Sequence, residues 1–361
     1  GLEIKREILV GELSNIKAAS LPVIAAVGGM VLPALVYLTF NAFSQDGVVS
    51  GWGIPMATDI AFAVGVIVLL GTRIPKTLLT FLVALAIVDD LGGVLVIAAF
   101  YTEEIHFTAL GVAGFFFIVL VLFNRADIRT PLPYFIVGLF LWFAMLKSGI
   151  HATLAGVLAA LTIPVSIKYQ PKDFSQHVRA LMDKFDEHHR PDESLMQNQA
   201  QRSIIQTLEN GVHKMEAPLQ RLEHSMHTPV AFIIIPIFAL ANAGIPIDFA
   251  SVGDTLSHPV ALGVIFGLTL GKIAGIAGFS FIAIRLGFAR LPAGTTFPQI
   301  IGVSILGGIG FTMSIFIAEL AFAGQSETLL VAKTGVLLAS LVAGTVGYFV
   351  LSRVSGKAKG L

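Results

Sequence analysis

Ten apolar runs, most of them near the length a helix needs to cross about 30 Å of hydrocarbon, constrain this chain more than any other feature. They fall at 21–43, 52–71, 77–101, 108–124, 132–147, 149–167, 228–247, 259–284, 298–323 and 329–352. A soluble chain of 361 residues would be read as two or three domains, but this one is 55% hydrophobic and only 13% charged. Ordinary globular chains carry about 25% charged residues. Its charges are also clumped, with 17 of the 46 lying between Lys168 and Glu223. The expected fold class is therefore an all-α polytopic membrane protein of about ten spans.

The connectors between the runs give an independent check, because cytoplasmic loops carry excess Lys and Arg. Connectors 44–51, 102–107, 248–258 and 324–328 have neither residue. Those at 72–76, 125–131 and 285–297 carry Arg73 and Lys76, Arg125 and Arg129, and Arg285 and Arg290. Lys147, in a short turn, is the exception. The alternation places both ends of this chain in the cytoplasm. It divides the chain into an upstream helix end and connector (1–20), spans (21–167), a charged cytoplasmic insert (168–227), further spans (228–352) and a cytoplasmic tail (353–361).

The insert has apolar residues at helical spacing over Asp173 to His189 and Gln199 to Met215, separated by Arg190-Pro191-Asp192, which predicts a helical hairpin. His188 and His189 are adjacent and point to different helix faces, so with His177 they read as a solvated surface rather than a metal site. Zero net charge and the lack of a dense basic tract exclude nucleic acid as a partner. The absence of Cys excludes disulfides, thiolate metal sites and Cys nucleophiles. The start, Gly1-Leu2-Glu3-Ile4-Lys5-Arg6-Glu7, has no initiator Met and no signal-peptide character. It reads as the tail of a helix leaving a membrane and predicts an upstream segment in the natural protein.

Ionisable residues at membrane depth cost at least about 2.5–3.5 kcal/mol each and mark function or pairing. Asp59, Asp89, Asp90 and Lys272 lie near mid-run, whereas Glu319 and Lys333 lie near run ends, where snorkelling suffices. Neighbouring helix positions are about 100° apart, so Asp89 and Asp90 cannot face one point in the same way. One can line a cavity while the other meets a second helix, and Lys272 is the natural cation there. One lysine cannot neutralise three carboxylates. The excess negative charge calls for a cation or protons.

Two runs are interrupted. Pro55, flanked by Gly53 and Gly65, disfavours a continuous helix before Thr58-Asp59. Gly307-Gly308-Ile309-Gly310-Phe311-Thr312 places three glycines in four residues inside the other. Irregular backbone at membrane depth is tolerated where it is buried or lines a cavity. Each interruption is the middle of a three-span group (21–101 and 259–352), the pattern of two inverted repeats with crossing discontinuous helices. Carboxylate and hydroxyl oxygens suit hard cations such as Na⁺ or Li⁺. Competition between such a cation and protons for two carboxylates yields antiport when the site faces one side at a time.

At these residues the sequence resembles the NhaA-type sodium/proton antiporters of bacteria. The resemblance is carried by Ala57-Thr58-Asp59-Ile60-Ala61-Phe62, Ile87-Val88-Asp89-Asp90-Leu91-Gly92, Lys147-Ser148-Gly149-Ile150-His151, Phe238-Ala239-Leu240-Ala241-Asn242, Gly271-Lys272 and Gly308-Ile309-Gly310-Phe311-Thr312-Met313-Ser314. It implies an electrogenic Na⁺(Li⁺)/H⁺ antiporter of the inner membrane, working by alternating access, regulating internal pH and sodium, and needing no cofactor. It implies that Asp90 is the direct cation ligand, Asp89 the partner of Lys272, and Thr58 and Asp59 the unwound stretch whose carboxylate balances half-helix dipoles. Gly308, Gly310 and Thr312 match the second broken helix. Glu3, Arg6, Glu7, Glu223, His224 and His227 match a cytoplasmic cluster tied to pH activation, and His151 another pH-linked position. Besides lipid, the resemblance implies a homodimer formed through a segment upstream of Gly1. The insert is longer than the family pattern leads one to expect.

Two other readings are weaker. Intramembrane aspartyl proteases need their carboxylates on separate helices, one within Gly-x-Gly-Asp, and the residues around Asp89 do not match, so no enzyme activity is expected. A cation-coupled symporter of related fold would need a roomier polar cavity than the spans supply.

Overall fold

The computed structural model describes residues 1–101, 106–166, 171–188, 194–215, 217–242, 244 and 252–355. Among these residues every regular element is helical. In chain order they are α1 (Leu2–Leu9), α2 (Ile16–Asn41), α3 (Ile60–Leu69), α4 (Lys76–Phe100), α5 (Phe107–Arg125) and α6 (Pro131–Lys147). Next come α7 (Thr153–Thr162), α8 (Pro171–Glu187), α9 (Gln199–Met215), α10 (Pro218–Pro229), α11 (Ile235–Asn242) and α12 (Val252–Ser257). The last five are α13 (Pro259–Phe266), α14 (Lys272–Arg285), α15 (Phe297–Leu306), α16 (Phe311–Ala321) and α17 (Ser326–Val354). A 3₁₀ segment, Val49–Met56, precedes α3, and π-helical turns at Val230–Ile234 and Gly267–Gly271 join α10 to α11 and α13 to α14.

Seven helical stretches are long and apolar enough to cross a membrane, and α15 with α16 forms one more span bent by 48°. The shorter apolar helices α6 and α7 account for the remaining two runs. Large side chains such as Phe115, Phe135, Phe232 and Leu240 stand exposed on the outer faces. A patch of that kind is untenable in water but suits hydrocarbon. The chain is a multi-pass membrane protein.

Three boundaries differ from the sequence expectation. Helix α2 starts at Ile16, not 21, because the Asn15 side chain accepts from Lys17 N at 3.0 Å and caps a polar first turn that apolar counting misses. Helix α7 is only ten residues long, because the chain first turns through Gly149 at φ +82°. The span expected at 228 begins at Pro218, so the last ten residues of the expected insert belong to a membrane-crossing helix. Proline opens that helix, where its missing N–H has no intrahelical role. Of the 228–247 run, residues 243 and 245–247 lie outside the described residues.

Within the insert, α8 and α9 are joined by hydrogen bonds. Asn198 Nδ2 donates to His188 O at 2.8 Å and Gln201 Nε2 to Phe185 O at 3.0 Å, tying α9 to the end of α8. His189 and the Arg190-Pro191-Asp192 separator lie outside the described residues.

Two three-span groups form the centre: α2, the interrupted Val49–Leu69 stretch and α4, and then α13–α14, α15–α16 and α17. Their first members pack antiparallel. A Cβ on Gly29 would meet Ile276 at 2.8 Å, one on Gly271 the Pro33 backbone at 2.8 Å, and one on Gly263 Tyr37 at 2.8 Å. At the far end Asn41 Nδ2 donates to Pro259 O at 3.1 Å. Numbers rise along one helix as they fall along the other, so the second group is inverted relative to the first. Small residues allow this approach, as they do at many membrane helix interfaces. A separate apolar cluster, including Leu120, Tyr134, Leu141 and Met145, joins α5, α6 and α7.

Candidate ion site at the crossing of two broken helices

The first break is the extended stretch Ala57–Asp59 between the 3₁₀ segment and α3. The second is Gly307–Gly310 between α15 and α16. They meet directly, for Asp59 N donates to Ile309 O at 2.6 Å. Thr58 Oγ1 lies 2.8 Å from Gly307 O, and Ser314 Oγ donates to Ile54 O at 2.7 Å. Orphan backbone groups of each interrupted helix are thus met by the other, which answers the demand that membrane burial makes on them.

Asp59 is the joint. Its Oδ1 accepts from Phe62 N at 3.2 Å, capping α3, while Oδ2 accepts from Thr312 N at 3.1 Å and from the Thr312 hydroxyl, capping α16. Each helix N-terminus carries roughly +0.5 of an elementary charge. Two of them converge on one carboxylate, so the charge of Asp59 is balanced locally.

Beside the crossing, α4 presents the other two carboxylates. Asp89 is buried, and its Oδ2 takes Lys272 Nζ at 2.5 Å and faces Thr58 Oγ1 at 2.7 Å. Lys272 is itself fully buried. It is the first residue of α14, directly after the π turn Gly267–Gly271. The sequence expectation missed that turn, because an apolar run of helix formers gives no sign of a π turn. Single π turns recur at functional sites. Here Leu268 O lies where a Cβ on Gly308 would go, and a Cβ on Gly267 would stand 2.7 Å from Pro55. The irregular parts of both groups therefore nest together.

Asp90, one position on, is half-buried. Its Oδ1, like Oδ1 of Asp89, is buried without a hydrogen-bond partner among the described residues. A buried carboxylate oxygen left bare is costly unless a cation or proton completes it.

The other expected positions lie apart from this crossing. Arg6 bonds both Glu7, at 3.2 Å, and Glu223, joining α1 to α10. Lys5 Nζ donates to Leu161 O at 2.6 Å, so α7 ends at the same place. Glu3, His224 and His227 are exposed around it. His151 sits on the turn before α7, 2.9 Å from Thr153 Oγ1 and edge-on to Phe316 at 5.1 Å. It lines a cavity of about 560 Å³ with Trp52, Phe100 and Tyr101.

Sequence reasoning missed two supporting residues. Ser340 Oγ accepts from Phe311 N at 3.1 Å and so holds the start of α16 from α17. Ser314 has the role given above; a hydroxyl within an apolar run is the available signal for both. Glu319 and Lys333, read as incidental, pair with each other at 2.7 Å across α16 and α17.

These features define a class: multi-pass helical proteins with two inverted, interrupted helices crossing over buried carboxylates. The model of the family Na⁺/H⁺ antiporter 1 matches residues 1–351. The chain is 55% identical to the Na⁺/H⁺ antiporter NhaA 1 of Saccharophagus degradans, over 99% of this chain and 76% of that one. It is 56% identical to the Na⁺/H⁺ antiporter NhaA of Sulfurimonas denitrificans, over 99% and 80%, and 48% identical to that of Dichelobacter nodosus, over 99% and 77%. The chain belongs to the Na⁺/H⁺ antiporter 1 family.

Proposed function

We propose that this protein exchanges Na⁺ or Li⁺ for H⁺ across the bacterial inner membrane, electrogenically and by alternating access, with both ends of this chain in the cytoplasm. The observation that carries the reading is the pair of bare, buried oxygens, Oδ1 of Asp89 and Oδ1 of Asp90, beside a single lysine. Asp59 is balanced by two helix ends and Asp89 by Lys272, which leaves the charge of Asp90 uncompensated. A small cation bound there completes the bare oxygen of Asp90, its direct ligand. Protons complete it equally well, and the two cannot be held together. Two protons leaving as one Na⁺ enters the site move net charge, which couples the cycle to membrane potential. Thr58 and Lys272 set the geometry around the ligands. The crossing, with Gly308, Gly310 and Thr312 on one side and Asp59 on the other, is the element that changes which face the site opens to.

The Arg6–Glu223 pair, with Glu3, Glu7, His224 and His227 around it and His151 at a separate cavity, is the proposed locus of pH regulation. Imidazoles titrate near neutral pH and alter local charge there. Lipid surrounds the spans. Helices α8 and α9 have no role in this scheme.

The test uses everted membrane vesicles from cells lacking their own antiporters, energised to impose a pH gradient followed by dye fluorescence. Collapse of the gradient on adding NaCl or LiCl but not KCl, abolished in Asp90→Asn, is the expected result. A normally inserted protein that leaves the gradient intact with every cation, from about pH 6.5, the ordinary imidazole pKa, up to about pH 8.5, overturns it.

A further inference from the structure

A second cavity is left unused by the transport scheme. It encloses about 400 Å³ between the start of α2, the start of α4 and the connector from α14 to α15. Lys17 and Arg290 line it, with Asn15, Thr77 and Thr80 as polar neighbours and Leu21, Pro22 and Phe81 as an apolar floor. Its lining contains no carboxylate. Among the described residues neither Lys17 nor Arg290 takes part in an ion pair. Residues 255–318 contain no Asp or Glu, connector 72–76 adds Arg73 and Lys76, and Glu12 is the acidic residue nearest to Lys17 in the sequence.

The backbone adds to the same sign. Helices α2 and α4 both begin at the cavity, so two positive dipole ends face it. The connector is fixed in place, because Thr77 Oγ1 donates to Ala293 O at 2.7 Å. Leu286 and Phe288, just before Arg290, are strongly exposed apolar side chains. A cationic recess with an apolar floor, and with exposed Phe288 two residues from Arg290 in the chain, has the two-part character of an amphiphile's headgroup region.

We propose that this cavity binds a phosphate group, supplied by an anionic phospholipid whose acyl chains lie along apolar side chains beside the connector such as Leu286 and Phe288. Lys17 and Arg290 contact the phosphate oxygens. Basic pockets between membrane helices at the cytoplasmic face take anionic headgroups by this chemistry, and each cation near the surface contributes about 1 kcal/mol. The occupant touches both inverted groups, since α2 and α4 belong to the first and Arg290 to the second. The proposal goes beyond the transport reading and does not depend on which ion is carried.

The test measures thermal unfolding and lipid binding of the purified protein in detergent, titrated with phosphatidylglycerol, phosphatidylcholine or inorganic phosphate. Phosphatidylglycerol is expected to stabilise the protein and phosphatidylcholine to have little effect. The Lys17→Gln/Arg290→Gln double variant should bind phosphatidylglycerol roughly thirtyfold more weakly, at about 1 kcal/mol per lost cation. An Arg73→Gln/Arg285→Gln control, which removes the same net charge outside the cavity lining, should lose far less. Equal losses in the two double variants would reduce the effect to general surface charge and overturn the site. Stabilisation by inorganic phosphate alone, abolished by the same double variant and matched by no lipid, would keep the phosphate contacts but overturn the lipid source. No lipid or phosphate effect on the folded parent protein would overturn the whole proposal.

Discussion

The two interrupted helices occupy equivalent places in inverted groups, yet they are broken by different means. The first parts at Ala57–Asp59, an extended stretch closed by side chains, with Thr58 and Asp59 reaching across to the second group. The second parts at Gly307–Gly310, where glycines let Leu268 O and the Ile276 side chain approach the backbone. One break contributes carboxylate and hydroxyl, the other mainly backbone carbonyls and N–H groups. A fold with near-symmetric architecture thereby gains a site with one-sided chemistry. Asp59 ties the two breaks together, because its carboxylate serves both helix ends.

The contrast can be broken by substitution, and the effects should rank by how many partners each residue serves. Asp59→Ala removes the acceptor for two helix starts and should destabilise the protein by about 2–4 kcal/mol, at about 1–2 kcal/mol per cap. Thermal unfolding in detergent measures this, and a loss below that of Thr312→Val would show that the breaks do not share their cap. Gly308→Val pushes a side chain onto Leu268 O and should cost about 1–3 kcal/mol by overpacking. If Ala57→Gly proves as damaging, the second break is not the one that depends on close backbone approach. Thr58→Val leaves Asp89 Oδ2 with Lys272 alone, and the expected loss is about 1–2 kcal/mol. The same variant should raise the apparent KM for Na⁺ in vesicles, and an unchanged KM would assign Thr58 to the fold only. Ser340→Ala removes one bond to Phe311 N and should show the smallest effect, about 0.5–1.5 kcal/mol. Hydrogen exchange at the start of α16 would report it locally.

Much of this arrangement is legible in the sequence. Apolar runs announced the spans because hydrocarbon leaves a backbone few options, and Asp59, Asp89, Asp90 and Lys272 stood out because charge at that depth is expensive. The breaks were visible as Pro55 and the Gly307–Gly310 cluster. What stayed hidden was cooperative between distant segments. No local pattern reveals that Asp59 caps α16, that Ser314 reaches Ile54 O, or that Glu319 meets Lys333. The early start of α10 was masked by polar residues that remain helical outside the bilayer. The π turn before Lys272 arises from packing of Gly267 and Gly271 against Pro55 and Pro33, which a helix-period reading cannot see.

One consequence follows from the position of Thr58 between Asp89 Oδ2 and Gly307 O. A hydroxyl has a single hydrogen to give, so the two neighbours compete for it, and an ionised Asp89 wins. When a proton or a metal ion settles on that carboxylate, its claim weakens and the hydrogen swings to the peptide carbonyl. The torsion of one threonine O–H thus registers the ionic state of the pocket on the backbone of the opposite helix, over a reach of two bonds and without moving a heavy atom.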